Sequence, residues 1–370
     1  MPILPRNLLL LLIISMILGM LFIGLYPFNY FPKNRVSMKE NGLHFFGRGV
    51  ASSTEVDGWP LESPITLELG LEPARTYKRD IPHILSFCDD TGREVLYLGQ
   101  WKNFLIVRIM EDSRWIQKIK REIGARDALN PGNPALITLV FNNGSTTIYV
   151  NGRSVTVSSG LDLTEAASSR PIRSIVLGNS SIGDSHWQGK VVSFSAFQTA
   201  LSPDAVLNRY EQRDSKQTSD NGKKFIKYEM EDTESKIIRN KAGNGWDLLT
   251  PEILTPLRKE FLSMPSEEFL QKVGFYQDAF INVAGFIPLG LVLAIFFAGD
   301  PPKKNAWKDL FLPVLFGGLL SLFIETNQVF LVSRSSSITD LVLNILGSGI
   351  GVGVYFRLIS NFKSEPGVET

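Results

Sequence analysis

ETNQVFLVSRSSSITDLVLNILG, Glu325 to Gly347, lies between two apolar runs and carries Glu325, Gln328, Arg334, Asp340 and Asn344. The chain otherwise keeps charge out of its apolar segments. A carboxylate or guanidinium in such a place costs free energy unless it is paired or hydrogen-bonded, and inside a membrane it marks a functional site by default. The reading of this stretch therefore depends on which segments cross a membrane.

Residues 7–32 hold no charge, and Leu8 to Tyr26 is almost wholly apolar, long enough for a hydrocarbon core that takes about 20 helical residues. A signal peptide shares the basic start at Arg6, but its apolar core is shorter, about 7–15 residues, and ends at a small-residue cleavage site. The exit here reads YPFNYFPKNR, so residues 1–32 read as a retained anchor. Three more spans are expected at Ala279–Ala298, Leu310 to about Leu331, and Ile338–Phe356. Basic residues in short loops set orientation. Lys303, Lys304 and Lys308 lie between the second and third spans, and Arg357 and Lys363 follow the fourth. Both places read as cytoplasmic, which puts both termini and the tail 361–370 inside a plasma (inner) membrane. The residues between Tyr30 and Gln277 then lie outside. Lys33, Arg35 and Lys39 run against this, but large translocated domains cross largely regardless of charge.

With that topology, Glu325, Gln328, Arg334, Asp340 and Asn344 converge at one depth with Asp278 and Asn282 of the second span. Glu325 and Gln328 are three apart; Asp340, Asn344, Gly347 and Gly351 follow one helical face. The expected arrangement is an ion pair of Arg334 with Glu325 or Asp340, completed by the amides of Asn282, Gln328 and Asn344. Gly285, Gly290, Gly347 and Gly351, with a second pair at Gly349 and Gly353, allow close helix packing. Pro288 is expected to bend the second span, which a bundle tolerates.

The roughly 250 residues between the first and second spans follow a different pattern. PITLELGLEP, HILSFCDD, EVLYLGQW, FLIVRI, ALITLVF, STTIYVNGRSVTV, SIVLGN and KVVSFSAF recur between turn signals, with hairpin-type turns at Asn142–Gly144 and Asn151–Arg153. Many short strands and few helical patterns predict an antiparallel sandwich. Over the 370 residues, 38 Lys and Arg balance 37 Asp and Glu, which leaves no basic field for nucleic acid. Cys88 is the only cysteine, so no intrachain disulfide or thiolate cluster can form.

NGLHFFGRG, TTIYVNGRSV and IVLGNSSIGDSHWQGKVVSFSAFQTALSPDAVLNRY, over about Asn41 to Tyr210, resemble the laminin-G-like, concanavalin A-like sandwich family. The order is an Asn-Gly hairpin, a Leu-Gly-Asn strand end, an aromatic with Gln-Gly, and a Leu-Ser-Pro-Asp helix. YEMEDTESKIIRNKAGNGWDLLTPE, Tyr228 to Glu252, resembles a further strand pair of such domains, so the sandwich is drawn over residues 33–251 with a polar loop at 211–224. The resemblance implies a jelly roll that binds glycans or proteins on a face or rim. Its candidate ligand contacts are Trp59, Asp89, Asp90, Trp101, Asp184, His186 and Trp187, each of which also reads as core packing or turn chemistry. Calcium occurs in the family, but no dense acidic loop stands out, and neither metal nor cofactor is assigned.

DAFINVAGFIPLGLVL and FIETNQVFLVSRSSSITDLVLNILGSGIG, within about Asp278 to Tyr355, are similar to the VanZ-like membrane proteins. They share Asp-x-x-x-Asn, Gly-Phe-x-Pro-x-Gly, Glu-x-x-Gln, Arg, then Asp-x-x-x-Asn-x-x-Gly-x-x-x-Gly. The resemblance implies a bacterial envelope protein, from a family whose founding member is linked to teicoplanin resistance, and no settled mechanism. Residues 278–360 then form a bundle of three spans. Residues 252–277, with Leu257, Phe261, Leu262, Phe269, Leu270 and Val273 among charges, read as amphipathic interfacial helices.

The fold expected is mixed: an all-β antiparallel sandwich plus an α-helical bundle of four transmembrane spans. No His-Glu-x-x-His, Gly-x-Ser-x-Gly or phosphate loop is present. The favoured function is recognition of an envelope glycan, lipid-linked glycan or protein, with membrane lipids as further partners and Arg334 as a donor for an anionic headgroup. Two alternatives stay open. One is an intramembrane enzyme with Glu325 or Asp340 as acid or base and Arg334 as anion holder; the other is a structural anchor for the sandwich.

Overall fold

A computed structural model describes residues 5–53, 64–112, 117–161, 163–213, 224–231, 235–243, 245–264, 273–298 and 306–363. The chain divides into two compact units, Phe31–Lys259 and a second built from Met1–Tyr30 with Glu260–Thr370.

Phe31–Lys259 is an antiparallel sandwich of two eight-stranded sheets. The first runs β1 (Val36–Lys39), β2 (Gly42–Phe46), β13 (Gln188–Phe197), β4 (Ile65–Pro73), β9 (Ala135–Asn142), β10 (Ser145–Val150) and β11 (Arg153–Ser159), with β14 (Lys224–Glu229) also on β13. The second runs β15 (Ile237–Ile238), β16 (Leu248–Leu249), β3 (Ala51–Ser53), β12 (Ser174–Leu177), β5 (His83–Cys88), β6 (Glu94–Trp101), β7 (Phe104–Asp112) and β8 (Gln117–Ala125). Alternation places the core: Ile65, Leu67, Leu69 and Leu71 of β4 are buried against Phe87, Phe194, Trp187 and Tyr228. Burying each such side chain contributes about 1.5–3 kcal/mol. Asn143–Gly144 and Asn151–Gly152 both adopt positive φ, the geometry that a two-residue hairpin between twisted strands requires.

β4 is buried on both faces because α3 (Pro203–Glu211), which follows the short α2 (Leu163–Ser169) in the chain, covers its polar side. Ser202 caps this helix, its Oγ accepting from the Ala205 N–H. Arg209 then donates to Glu68 in a fork, at 2.9 and 2.6 Å. β14 pairs with the second half of β13, and β16 pairs with β3. Asn34 closes the unit by bonding Val50 O and Pro251 O at 2.8 Å each.

The second unit packs α1 (Arg6–Leu25), α4 (Val273–Ala298), α5 (Ala306–Gln328) and α6 (Ile338–Lys363). Each contains a span long and apolar enough to cross a membrane, and their outward faces carry Leu11, Ile23, Phe280, Phe311 and Phe323. The chain is a membrane protein. A Cβ on Gly290, Gly347 or Gly351 would overlap, respectively, the carbonyl oxygens of Ser348, Val283 and Ile287, so α4 and α6 touch backbone to backbone. Gly285, Gly349 and Gly353 have open space where a Cβ would stand, which removes them from the packing set. A helix presents only one stripe to a neighbour, and these three lie off it. Gly317 joins the set instead, since a Cβ there would overlap Ser348 Oγ. α4 runs on through Pro288, which is exposed.

The amphipathic helices expected over 252–277 are not formed in the described part. Residues 252–264 are irregular, held by Leu254 N–H to Pro32 O, Arg258 N–H to Ser181 O and Ser263 N–H to Ser336 O. Pro256 restricts the backbone at its own position and at the residue before it. Phe269 and Leu270 lie outside the described residues, and Val273–Gln277 belong to α4.

Candidate functional site

α5 ends at Gln328, and nine residues later Ser337 stands just before α6. The Asp340 N–H donates to Ser337 Oγ at 3.4 Å, while Asp340 places its charge in the first turn of α6, where the helix dipole favours an anion. Glu325, only 1 % exposed, accepts the Ser337 N–H on Oε2 at 2.7 Å. A buried carboxylate needs donors, and the backbone of the returning loop supplies one. Asn282 of α4 lies beside the Asp340 carboxylate, and Asp278 and Arg334 both act on that carboxylate electrostatically, in opposite senses.

Arg334 makes no close ion pair with Glu325 or Asp340 and acts on Asp340 only at longer range. Its Nε donates to Tyr26 O at 3.1 Å and an Nη to Ile23 O at 3.3 Å. Gln328 likewise turns away, donating to Gly24 O at 3.0 Å. The last carbonyls of a helix have no intrahelical donor, and the last turn of α1 holds no basic residue of its own. Arg334 and Gln328 supply the missing donors. One turn deeper, Asn344 Nδ2 donates to Ser321 Oγ at 2.9 Å, while Asn344 Oδ1 and Ser348 Oγ are buried without partners. The structure thus joins Asp278, Asn282, Glu325 and Asp340, sets Asn344 beneath them, and turns Gln328 and Arg334 toward α1. Ser321, Ser337 and Ser348 escaped the sequence reading. Their signal was spacing: Ser321 lies four before Glu325, and Ser348 four after Asn344.

Two sandwich candidates prove to be structural. Trp187 is fully buried, and its Nε1–H donates to Gln100 Oε1 at 2.8 Å; a large ring with one polar atom packs well once that atom is satisfied. Asp89 accepts from Arg170 at 2.6 and 3.0 Å and holds its own turn through the N–H groups of Thr91 and Arg93. Asp90 and Asp184 are exposed. Asp184 accepts from Ser180 Oγ at 2.6 Å, and His186 Nδ1 bonds Asn179 Nδ2 at 2.9 Å. Burial, reinforced by Arg48, lowers the His186 pKa, although Asp184 opposes this. Trp101 sits on the β6–β7 turn with Lys102 Nζ 4.4 Å from its ring. Trp59 lies outside the described residues.

A buried network that the sequence reading missed lies beneath this loop. Glu94 Oε1 accepts from His83 Nδ1 (2.9 Å), Ser86 Oγ (2.8 Å) and the Ser181 N–H (3.1 Å). Burial opposes ionisation, but the charge and hydrogen bond of His83, with Ser86 and Ser181, outweigh it and hold the Glu94 carboxyl below the usual range. Asp89 is lowered against burial in the same way, by Thr91, Arg170 and Arg93. A carboxyl depressed by folding stabilises the native state above its unfolded pKa of about 4 and loses that contribution as pH falls through the native value. Thermal melts of the full-length protein are therefore expected to hold steady from neutral pH to about pH 5 and to drop steeply below about pH 4. Glu94→Gln should flatten that acid limb; an unchanged limb would remove Glu94 from the account.

Among the described residues, no three His, Cys, Asp or Glu side chains group to hold a metal ion. Residues 225–360 match the VanZ/LLP1 family model. Residues 52–207 match the concanavalin A-like lectin/glucanases superfamily model. The chain joins a VanZ-like segment to a concanavalin A-like one. The VanZ match starts inside β14, so it takes in the last strands of the sandwich as well as the three C-terminal helices. No curated protein matches the chain. Similar solved structures include a protein from Bacteroides ovatus ATCC 8483 (16 % identity, 60 % of this chain and 59 % of that one, TM-score 0.40). Others are the receptor binding domain of botulinum neurotoxin C/D mosaic serotype (14 %, 49 % and 45 %, 0.39) and the botulinum neurotoxin serotype D ligand binding domain in complex with N-acetylneuraminic acid (12 %, 49 % and 45 %, 0.38). The chain spans about half the length of these solved chains.

Proposed function

We propose that this VanZ-like protein recognises an envelope glycan or lipid-linked glycan of a bacterial plasma membrane. In this reading the sandwich lies outside and the polar end of the helical unit holds the headgroup of an amphiphile. The observation that carries it is Glu325: a carboxylate 1 % exposed, at the end of a membrane-length helix, sharing its surroundings with Asp340 and Asn282. A bundle that served only as an anchor would gain nothing from burying such groups. The lysines at 303, 304 and 308 favour a cytoplasmic α4–α5 loop, which sets the α5–α6 loop and the sandwich on the opposite side. The family model that the sandwich matches names lectins, which favours a glycan as its ligand.

The test is purification of full-length protein in mild detergent and mass spectrometry of retained amphiphiles, with wild type beside Glu325→Gln and Asp340→Asn. A headgroup-bearing species retained by wild type and reduced about tenfold in either variant is expected, the loss that one charge-assisted hydrogen bond brings. Identical profiles would reduce the cluster to a structural clasp. Proteolysis of right-side-out spheroplasts should release the sandwich; protection would reverse the topology.

The enzymatic reading has weaker support. The Nε and one Nη of Arg334, the anion holder that the reaction would need, are spent on carbonyls at the end of α1.

A further inference from the structure

Three connections that meet at one end of the sandwich carry basic side chains whose partners are aromatic rings in place of acids. Arg75 lies 5.2 Å from the centroid of the Tyr77 ring, Lys102 Nζ 4.4 Å from that of Trp101, and Arg126 5.8 Å from that of Phe104. All three cations are exposed, and among the described residues no carboxylate pairs with any of them. Buried groups hold these connections to one another. Gln100, with no exposed surface, donates from Nε2 to the carbonyls of Arg75 and Lys102 at 2.8 Å each and accepts the Trp187 Nε1–H on Oε1. The Lys102 N–H donates to Tyr77 O at 2.7 Å and the Leu129 N–H to Asn103 O at 3.0 Å, while the Trp101 and Phe104 ring centroids stand 5.4 Å apart. Lys78 and Arg79 add exposed charge to the first connection. The acids there are Asp80 and Asp127, and Asp127 accepts from Asn103 Nδ2. Five basic residues therefore stand against two acidic ones, in a chain whose totals nearly balance.

A carboxylate partner would spend these charges, and a ring does not. An exposed cation–π contact is weak and consumes no N–H donor. Each side chain is thus positioned yet open to an anion, which binds it more strongly through charge-assisted hydrogen bonds. Several separate cations on adjoining connections suit a chain with repeated negative groups better than one small anion, because each further contact forms within a complex already made. Nucleic acid does not fit: bases stack on open ring faces, and here each ring already carries a cation, with Phe104 also crowding Trp101. We infer that this rim of the sandwich binds an acidic polysaccharide, its carboxylate or phosphate groups taken by Arg75, Lys102 and Arg126. This rests on the glycan reading given above and supplies the charge class that it leaves open. Trp101, expected as a direct ligand contact, then serves the ligand by holding Lys102.

Full-length protein in phosphatidylcholine nanodiscs, titrated with polygalacturonate and with poly(glycerol phosphate) and read by biolayer interferometry, tests it. A panel of neutral glycans and vesicles of phosphatidylglycerol are run beside the two polymers. Wild type is expected to bind at least one polymer about thirtyfold more tightly than the neutral glycans, roughly threefold for each exposed ion contact, and the preferred polymer tells carboxylate from phosphate. The triple substitution Arg75→Gln, Lys102→Gln and Arg126→Gln should abolish that difference at an unchanged thermal midpoint, since all three side chains are exposed. Arg35→Gln, Lys39→Gln and Arg153→Gln together remove as many exposed charges elsewhere on the sandwich and should leave it within about twofold. Without any variant, wild-type binding should weaken about tenfold or more between about 0.05 and 0.3 M salt. Acidic binding that survives the triple substitution, falls equally in the control variant or ignores salt would overturn the site. Neutral glycans bound as tightly as the polymers would overturn the acidic class and leave the glycan reading standing, while binding to no glycan of either kind would overturn both. Preference for the phosphatidylglycerol vesicles over both polymers would assign a membrane surface in place of a polysaccharide.

Discussion

Leucine at Gly351 is expected to separate α4 from α6 and to cost the helical unit about 3 kcal/mol, the upper end of overpacking. A Cβ at this position has no room: it would overlap the Ile287 carbonyl oxygen and crowd Leu291 N at 2.6 Å. These are backbone atoms of a membrane-length helix, so no side chain can rotate away to make space. Gly290 meets the Ser348 backbone in the same manner, and Gly290→Leu should behave alike. Gly353, one repeat further along the second glycine pair, faces open space. Gly353→Leu is expected to stay within about 0.5 kcal/mol of wild type, as surface substitutions do. Denaturant titration of the detergent-solubilised protein, followed by helical circular dichroism, measures both. Equal destabilisation at 351 and 353 would contradict the packing described.

Arg209→Leu is expected to be the most damaging single change in the sandwich. Arg209 and Glu68 are 5 % and 7 % exposed, joined by two hydrogen bonds, and the guanidinium lies 4.7 Å from the Phe197 ring. Removing one partner of a buried pair leaves the other charge without compensation, at a cost of about 3–5 kcal/mol. The carboxylate sits on β4 in the middle of its sheet, so the strand cannot move to expose it. Tryptophan fluorescence during chemical unfolding reports the loss, with the buried Trp187 as probe. The double variant Arg209→Leu, Glu68→Leu should recover most of the stability, because both charges then disappear together. If the double variant is as unstable as the single, the cost lies in the docking of α3 and not in the stranded charge.

Local patterns made much of this architecture legible. Period-two apolar runs between turn residues predict strands wherever they occur, and Asn143–Gly144 and Asn151–Gly152 adopt the positive φ that their hairpins need. Long uncharged stretches predict helices of membrane length for the same reason of self-containment, since every backbone group finds its partner within the segment. The two family resemblances, read from ordered motifs, agree with the two family models.

Partners were less legible than elements. Arg334 and Glu325 share one short stretch, and opposite charges in an apolar setting read naturally as a pair. Which of them stays together is decided by the C-terminus of α1, some 300 residues away in sequence, whose bare carbonyls draw the guanidinium. The Glu94 network was hidden too, since the Ser181 N–H joins His83, Ser86 and Glu94 only once the loop from 87 residues away has packed. Trp187 and Asp89 looked like ligand contacts because residue type alone cannot tell a rim from a core.

The sequence by itself determined that this chain is a strand-rich sandwich joined to four apolar helices, because periodicity, turn chemistry and segment length act within a few residues of one another. Tertiary structure alone decided which glycines carry the helix contact, which carbonyls Arg334 serves, and which donors gather on Glu94. Those outcomes depend on the hydrogen bonds and contacts that remain unmet once distant segments have packed.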